Sequence, residues 1–215
     1  MDIVIPSGQN LLLFAGAALV LLLIPGPAVL YIVARSVAQG RGAGLVSVLG
    51  IHVATFIHVL AAALGLSVLI LSSALAFNIV KYAGAAYLVW LGLRKIFGPS
   101  EATGANGELQ HYSHARLFRD GFVVNLLNPK TALFFVAFLP QFVDVSKGGV
   151  AMQITLLGLV FAVLGFFTDS AYALLAGTAG NWLQNSRGYL QFERYGSGAL
   201  FIGLGVTAAL SGAKK

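Results

Sequence analysis

The sequence predicts an all-α membrane protein of six transmembrane helices, arranged as two inverted three-helix repeats with spans 1 and 4 broken at Gly-Pro and Asn-Pro. Three observations lead there: a composition too apolar for water, six apolar runs of spanning length, and punctuation that recurs in the two halves. Apolar residues make up 58% of the 215 and charged residues 9%, with a mean hydropathy of +0.88. A soluble domain carries roughly 25% charged residues, so this chain lacks the charge to cover a surface in water. The predicted setting is a bilayer.

A membrane helix needs ~20 mostly apolar residues. Six runs meet that need: Asn10–Ala34, Gly44–Leu71, Ala74–Phe97, Phe118–Phe142, Gly149–Thr178 and Tyr189–Leu210. The first is read as a span rather than a secretion signal, because no cation precedes it and it is too long for a signal core. Between spans 1 and 2 lie Arg35 and Arg41; between 3 and 4 lie Arg94, Lys95, Arg116 and Arg119; between 5 and 6 lie Arg187 and Arg194. The opposite side holds Lys81, Lys147, Lys214 and Lys215. Cations favour the cytoplasmic side, which puts both termini outside, although the two C-terminal lysines pull the other way. The net charge of +6 is spread over span ends rather than clustered, so nucleic acid is not an expected partner. Cysteine is absent, which excludes disulfides, thiol chemistry and thiolate metal sites.

Residues 1–97 form the first repeat, the polar stretch Gly98–Arg116 a cytoplasmic linker, and residues 117–215 the second repeat. With Pro27 set against Pro129, "PAVLYIVARSVAQ" and "PKTALFFVAFLPQ" run in step to Gln39 and Gln141. With Tyr82 set against Tyr195, "KYAGAAYLVWLG" meets "RYGSGALFIGLG". Three spans per half make the copies point opposite ways across the membrane, a pattern of secondary transporters.

Each half also has its break at the matching place. A proline inside a helix costs about 3 kcal/mol, so Pro25-Gly26-Pro27 and Asn128-Pro129 read as restarts, with proline at the first helical position and Gly26 or Asn128 as cap. Broken backbone at membrane depth is tolerated only where protein or a cavity surrounds it. The restarts are expected to direct the N–H groups of Val29, Leu30, Thr131 and Ala132 at that cavity, where they favour an anion such as a carboxylate.

Lys130 follows Pro129 in the first turn of a restarted helix, where its charge opposes the helix dipole. Near mid-bilayer it also costs roughly 2.5–3.5 kcal/mol. It either snorkels to an interface or faces an anion. Asn125 and Asn128 flank it, and the carbonyl of Asn125, which Pro129 leaves without its helical partner, is expected to be a free acceptor. Asp169 is the one carboxylate well inside a span and the natural proton carrier, with a structural hydrogen bond as the competing reading. His52, Thr55 and His58 of span 2 are candidate lining. The two histidines are six apart and so do not share a helix face as metal ligands at i and i+4 would. Asp120, beside Arg119, is expected at a span mouth. The chain has no phosphate-cradling glycine loop, HExxH or GxSxG, so neither an enzyme nor a cofactor is expected.

In "IPGPAVLYIVARSVAQGRGAGLVSVLGIH", "YAGAAYLVWLGLRKI" and "FRDGFVVNLLNPKTALFFVAFLPQFV" the chain resembles the LysE/RhtB family of bacterial amino-acid exporters nearly end to end. The resemblance implies a multi-pass protein of the bacterial inner membrane that exports amino acids, basic ones or neutral ones such as homoserine, threonine and leucine, by proton antiport. The partners it implies are a carboxylate-bearing small molecule, protons and lipid. Pro25, Gly26, Pro27, Asn125, Asn128, Pro129 and Lys130 would then hold substrate and Asp169 would couple protons. An exporter of a divalent metal ion or another small solute on the same architecture is the alternative, though it would want clustered His, Asp or Glu. The identity of the amino acid and the oligomeric state are not encoded in these motifs.

Overall fold

The computed structural model describes residues 6–66, 68, 74–98 and 111–185, together with scattered helical positions between 191 and 210. Among the described residues every regular element is helical. In chain order these are α1 (Gly8–Leu23), α2 (Pro27–Gln39), α3 (Arg41–Ala61), α4 (Ala74–Phe97), α5 (His114–Leu126), α6 (Pro129–Leu133) and α7 (Val150–Asn185). A wider π turn, Ala62–Leu66, continues α3. By length and composition Arg41–Leu66 and Val150–Thr178 can each cross a membrane, and so can each of the pairs α1 with α2 and α5 with the run from Pro129 to Phe142. Those pairs bend by 50° and 43° at Pro25-Gly26 and at Asn128. The third predicted run coincides with α4, and most of the sixth lies outside the described residues.

Two predicted boundaries shift for local reasons. The fourth span begins at His114, not Phe118, because Ser113 caps it by accepting from the amide of Arg116 at 3.4 Å. Hydropathy marks where apolar residues begin, whereas a helix begins at its cap. Beyond α6 the chain also departs from regular α-helix. It widens into a π turn at Phe134–Phe138 and tightens into a 3₁₀ turn at Leu139–Phe142. Pro140 has no N–H to return to the carbonyl four residues back. The amide of Leu139 reaches Phe134 instead, so the register slips by one residue.

The helix that carries most of the internal packing is α3, which lies against α2, α5 and α7. Its crossing with α5 is close because glycine faces backbone. A Cβ on Gly50 would fall 2.0 Å from the Phe118 carbonyl oxygen, and one on Gly121 would fall 2.7 Å from that of Ser47. Two apolar layers result. A large cluster gathers Phe14, Phe134, Phe135 and Phe161, with Phe134 and Phe161 stacked at 4.8 Å. Toward the arginine-rich end a smaller one gathers Ala28, Ile32, Val48, Ile51 and Ala173. The helix breaks lie between the two.

Candidate functional site

The two breaks meet. Lys130 extends from the first turn of α6 and its ammonium donates to the Ile24 carbonyl, at the point where α1 has just ended. The lysine stem passes over Gly26, where a Cβ would come within 3.0 Å of Lys130 Cδ, so the absence of a side chain there makes room for it. This resolves the expected conflict with the dipole. Lys130 does start its own helix, but its charge sits at the C-terminal, partially negative end of another, where a cation is stabilised. It is buried rather than snorkelling, with its charge against the Ile24 carbonyl and within the field of the buried Asp169.

The adjoining carbonyl of α1, Leu23, accepts from the Tyr172 hydroxyl at 2.7 Å. Tyr172 lies three residues after Asp169 on α7, and so on a shared helix face. That spacing could have drawn attention to it in the sequence, and the sequence reading passed over it.

Asn125 is the hub of the other break. Its side-chain Nδ2 donates to the Ile51 carbonyl and to Thr55 Oγ1, both at 2.9 Å. Its Oδ1 accepts from Thr131 Oγ1 at 3.0 Å and from Asn128 Nδ2 at 3.3 Å. Its backbone carbonyl is not the free acceptor expected from the sequence. His58 Nε2 lies 3.1 Å from it, and the amide of Asn128 donates to it at 3.1 Å. A carbonyl can only accept, so Nε2 of His58 carries its proton. The ring also stacks on Phe135 at 6.1 Å. His58 thus serves α5 as a cap and lies outside the cavity.

Two of the expected free amides are also spent. Leu30 donates to the Gly26 carbonyl at 2.9 Å and Ala132 to that of Asn128 at 3.1 Å. The capping residue's own carbonyl already accepts the first helical bond, so the orphan donors lie one residue earlier than expected. At Asn128 the side chain does cap the helix, its Oδ1 accepting from the amide of Lys130 at 3.1 Å.

Between the breaks lies a cavity of about 30 Å³, lined by Gly26, Val29, His52, Thr55, Asn125, Asn128, Lys130, Thr131 and Asp169 among others. That is room for roughly two waters. Asp169 and Lys130 are both buried, and each lies within the other's field. His52 is also buried; its Nδ1 lies 3.0 Å from the Val48 carbonyl, which leaves Nε2 against Gly165, one turn before Asp169. Pro25, Pro27 and Pro129 stand at the breaks without lining the cavity. Asp120 sits at the span mouth, 3.0 Å from Arg119 and 3.5 Å from Arg116. Among the described residues no three His, Asp or Glu gather as metal ligands.

The chain is similar to known proteins over most of its length. The family model described as LysE type translocator matches residues 19–212. A protein of Salmonella typhimurium named "Homoserine/homoserine lactone efflux protein" is 32% identical over 187 residues, covering 87% of this chain and 89% of its own. An "Uncharacterized membrane protein" of Vibrio cholerae is 31% identical over 194 residues, 89% of this chain and 92% of its own. The "Uncharacterized membrane protein YrhP" of Bacillus subtilis is 28% identical over 212 residues, 94% and 100%. No solved structure matches significantly. With a family match that begins before the first break and ends beyond α7, the chain belongs to the LysE type translocator family.

Proposed function

We propose that the protein exports amino acids or close derivatives across the bacterial inner membrane in exchange for protons, through two inverted three-span repeats with both termini outside. The observation that carries the reading is the convergence of two broken helices on one cavity that holds a lysine and an aspartate. Lys130 offers a cation to a carboxylate, which would replace the Ile24 carbonyl as its acceptor. Asp169 takes either a proton or the substrate's ammonium group. One carboxylate that cannot hold both makes the two fluxes opposite and obligatory.

The name of the Salmonella relative pairs homoserine with its lactone. Both compounds keep an α-amino group, and only homoserine has a carboxylate. The chemistry they share therefore falls on Asp169, and Lys130 adds discrimination. Asn125, spent on the fold, passes from the substrate-binding set to the frame around it. At about 30 Å³ the cavity is closed to a solute of this size, so binding goes with a hinge at the breaks and parting of the Ile32, Val48 and Ala173 layer.

Purified protein in liposomes loaded with labelled amino acids tests the reading. Export should follow an imposed pH gradient, and Asp169→Asn should abolish gradient-driven export. Gradient-driven export surviving in Asp169→Asn would defeat it.

A further inference from the structure

A second cluster lies at the arginine-rich end, eight residues along α2 from Pro27, or about 12 Å at 1.5 Å per residue. Arg35 sits beneath Tyr112, its Cζ 4.4 Å from that ring's centroid and 5.8 Å from that of Tyr31. Arg116 covers Tyr112 as well, at 3.7 Å. The cluster is built rather than incidental. Gln39 holds the Tyr112 backbone by two bonds of 2.9 Å, one from the amide of Tyr112 to Oε1 and one from Nε2 to the carbonyl. The Tyr31 hydroxyl donates to the Leu117 carbonyl at 3.1 Å.

Among the described residues of this cluster the cations Arg35, Arg116 and Arg119 outnumber the carboxylate of Asp120. Asp120 is shared between Arg116 and Arg119, and no ion pair to Arg35 forms among the described residues. Among the described residues the Nε and Nη1 of Arg35 are buried with no hydrogen-bond partner. A buried charged donor left unmet costs more than the ~1–3 kcal/mol of a neutral one, and such groups call for an explanation. Two aromatic rings hold the guanidinium in place but supply no acceptor for its in-plane N–H groups.

We infer that Arg35 is a second anion site, which takes the carboxylate of an amino acid at the arginine-rich mouth before the solute reaches the cavity. The export reading names the solute; the site itself stands on the unmet donors and the uncompensated charge. The buried layer of Ile32, Val48, Ile51 and Ala173 separates this site from Lys130, so a carboxylate is held first at the mouth and then, once that layer parts, at the break. Tyr112 is the cover that must tilt for an oxyanion to reach Nε and Nη1. A lipid phosphate offers the same oxygen chemistry, but the donors are buried under Tyr112, where a small solute reaches more readily than a headgroup tied to two acyl chains.

Phenylglyoxal labelling of Arg35, read by mass spectrometry on the full chain in phosphatidylcholine nanodiscs, tests this without relying on transport. L-homoserine, L-leucine and L-lysine serve as probes, each beside its uncharged-acyl counterpart, homoserine lactone or the methyl ester. At about ten times its dissociation constant at least one acid should slow labelling of Arg35 about tenfold, because only the unoccupied fraction reacts. Its counterpart should not, and the protection should persist in Lys130→Met. An Arg35 that never reacts, no slowing by any acid, or equal slowing by acid and counterpart overturns the inference. Slowing by added phosphatidylglycerol alone assigns the site to lipid and overturns it too. Failed export together with a protected Arg35 would strike the export reading and leave this site standing.

Discussion

Asn125→Leu separates a frame residue from a substrate ligand. The two side chains are of similar size, so the change removes polar groups and little volume. What is lost is four side-chain hydrogen bonds: to Ile51 and Thr55 on α3, to Asn128 at the break and to Thr131 on α6. Interhelical hydrogen bonds in membranes average ~0.6 kcal/mol each, so four come to about 2.5 kcal/mol. Neighbouring groups left unmet raise that figure, and helix carbonyls that are already bonded lower it. The expected outcome is a protein destabilised by about 2–3 kcal/mol in reversible unfolding. Below its melting range the folded fraction should bind substrate within about twofold of wild type. The assay is thermal unfolding in detergent, paired with substrate affinity on the same preparation. A variant of unchanged stability that binds at least tenfold more weakly would show Asn125 to be a ligand, and the hub argument would be wrong.

Gly50→Ala should be far costlier than Gly16→Ala. The first puts a Cβ 2.0 Å from the Phe118 carbonyl oxygen, while the second meets nothing within 4 Å. Melting temperatures of the two would show it, and equal values would refute the close α3–α5 crossing. For orientation, cysteines at His114 and Lys147 should react with impermeant thiol reagents from the cytoplasmic and outer faces respectively; the reverse pattern would invert the assignment.

Much of the frame was legible because its signals are local. Apolar runs located the helices, and Pro27 and Pro129 located both breaks, since a missing N–H acts wherever the residue falls. Lys130 and Asp169 stood out because buried charge is costly in any fold. What the sequence withheld was which partner met each polar group. It showed that Pro129 orphans the Asn125 carbonyl, but not that His58, 67 residues away in the chain, caps it. It left Lys130 either to snorkel or to face an anion, and did not show that its ammonium meets the Ile24 carbonyl at the end of α1. Tyr172 and Arg35 went unread for the same reason. A tyrosine near a span end and an arginine in a positive loop are ordinary until the other helices are placed around them. The π turn after α6 is intermediate: Pro140 was visible, and with it the missing bond, but not how the chain would absorb it.

The central claim is that Lys130 recognises a carboxylate in the cavity between the breaks. It is tested most directly by measuring, for wild type and Lys130→Met, the affinity for an exported amino acid and for its methyl ester. Loss of a charge-assisted hydrogen bond, about 1.5–3 kcal/mol, should weaken the acid roughly 10- to 100-fold and leave the ester within about twofold. Acid and ester weakened alike, or neither weakened, would contradict the account.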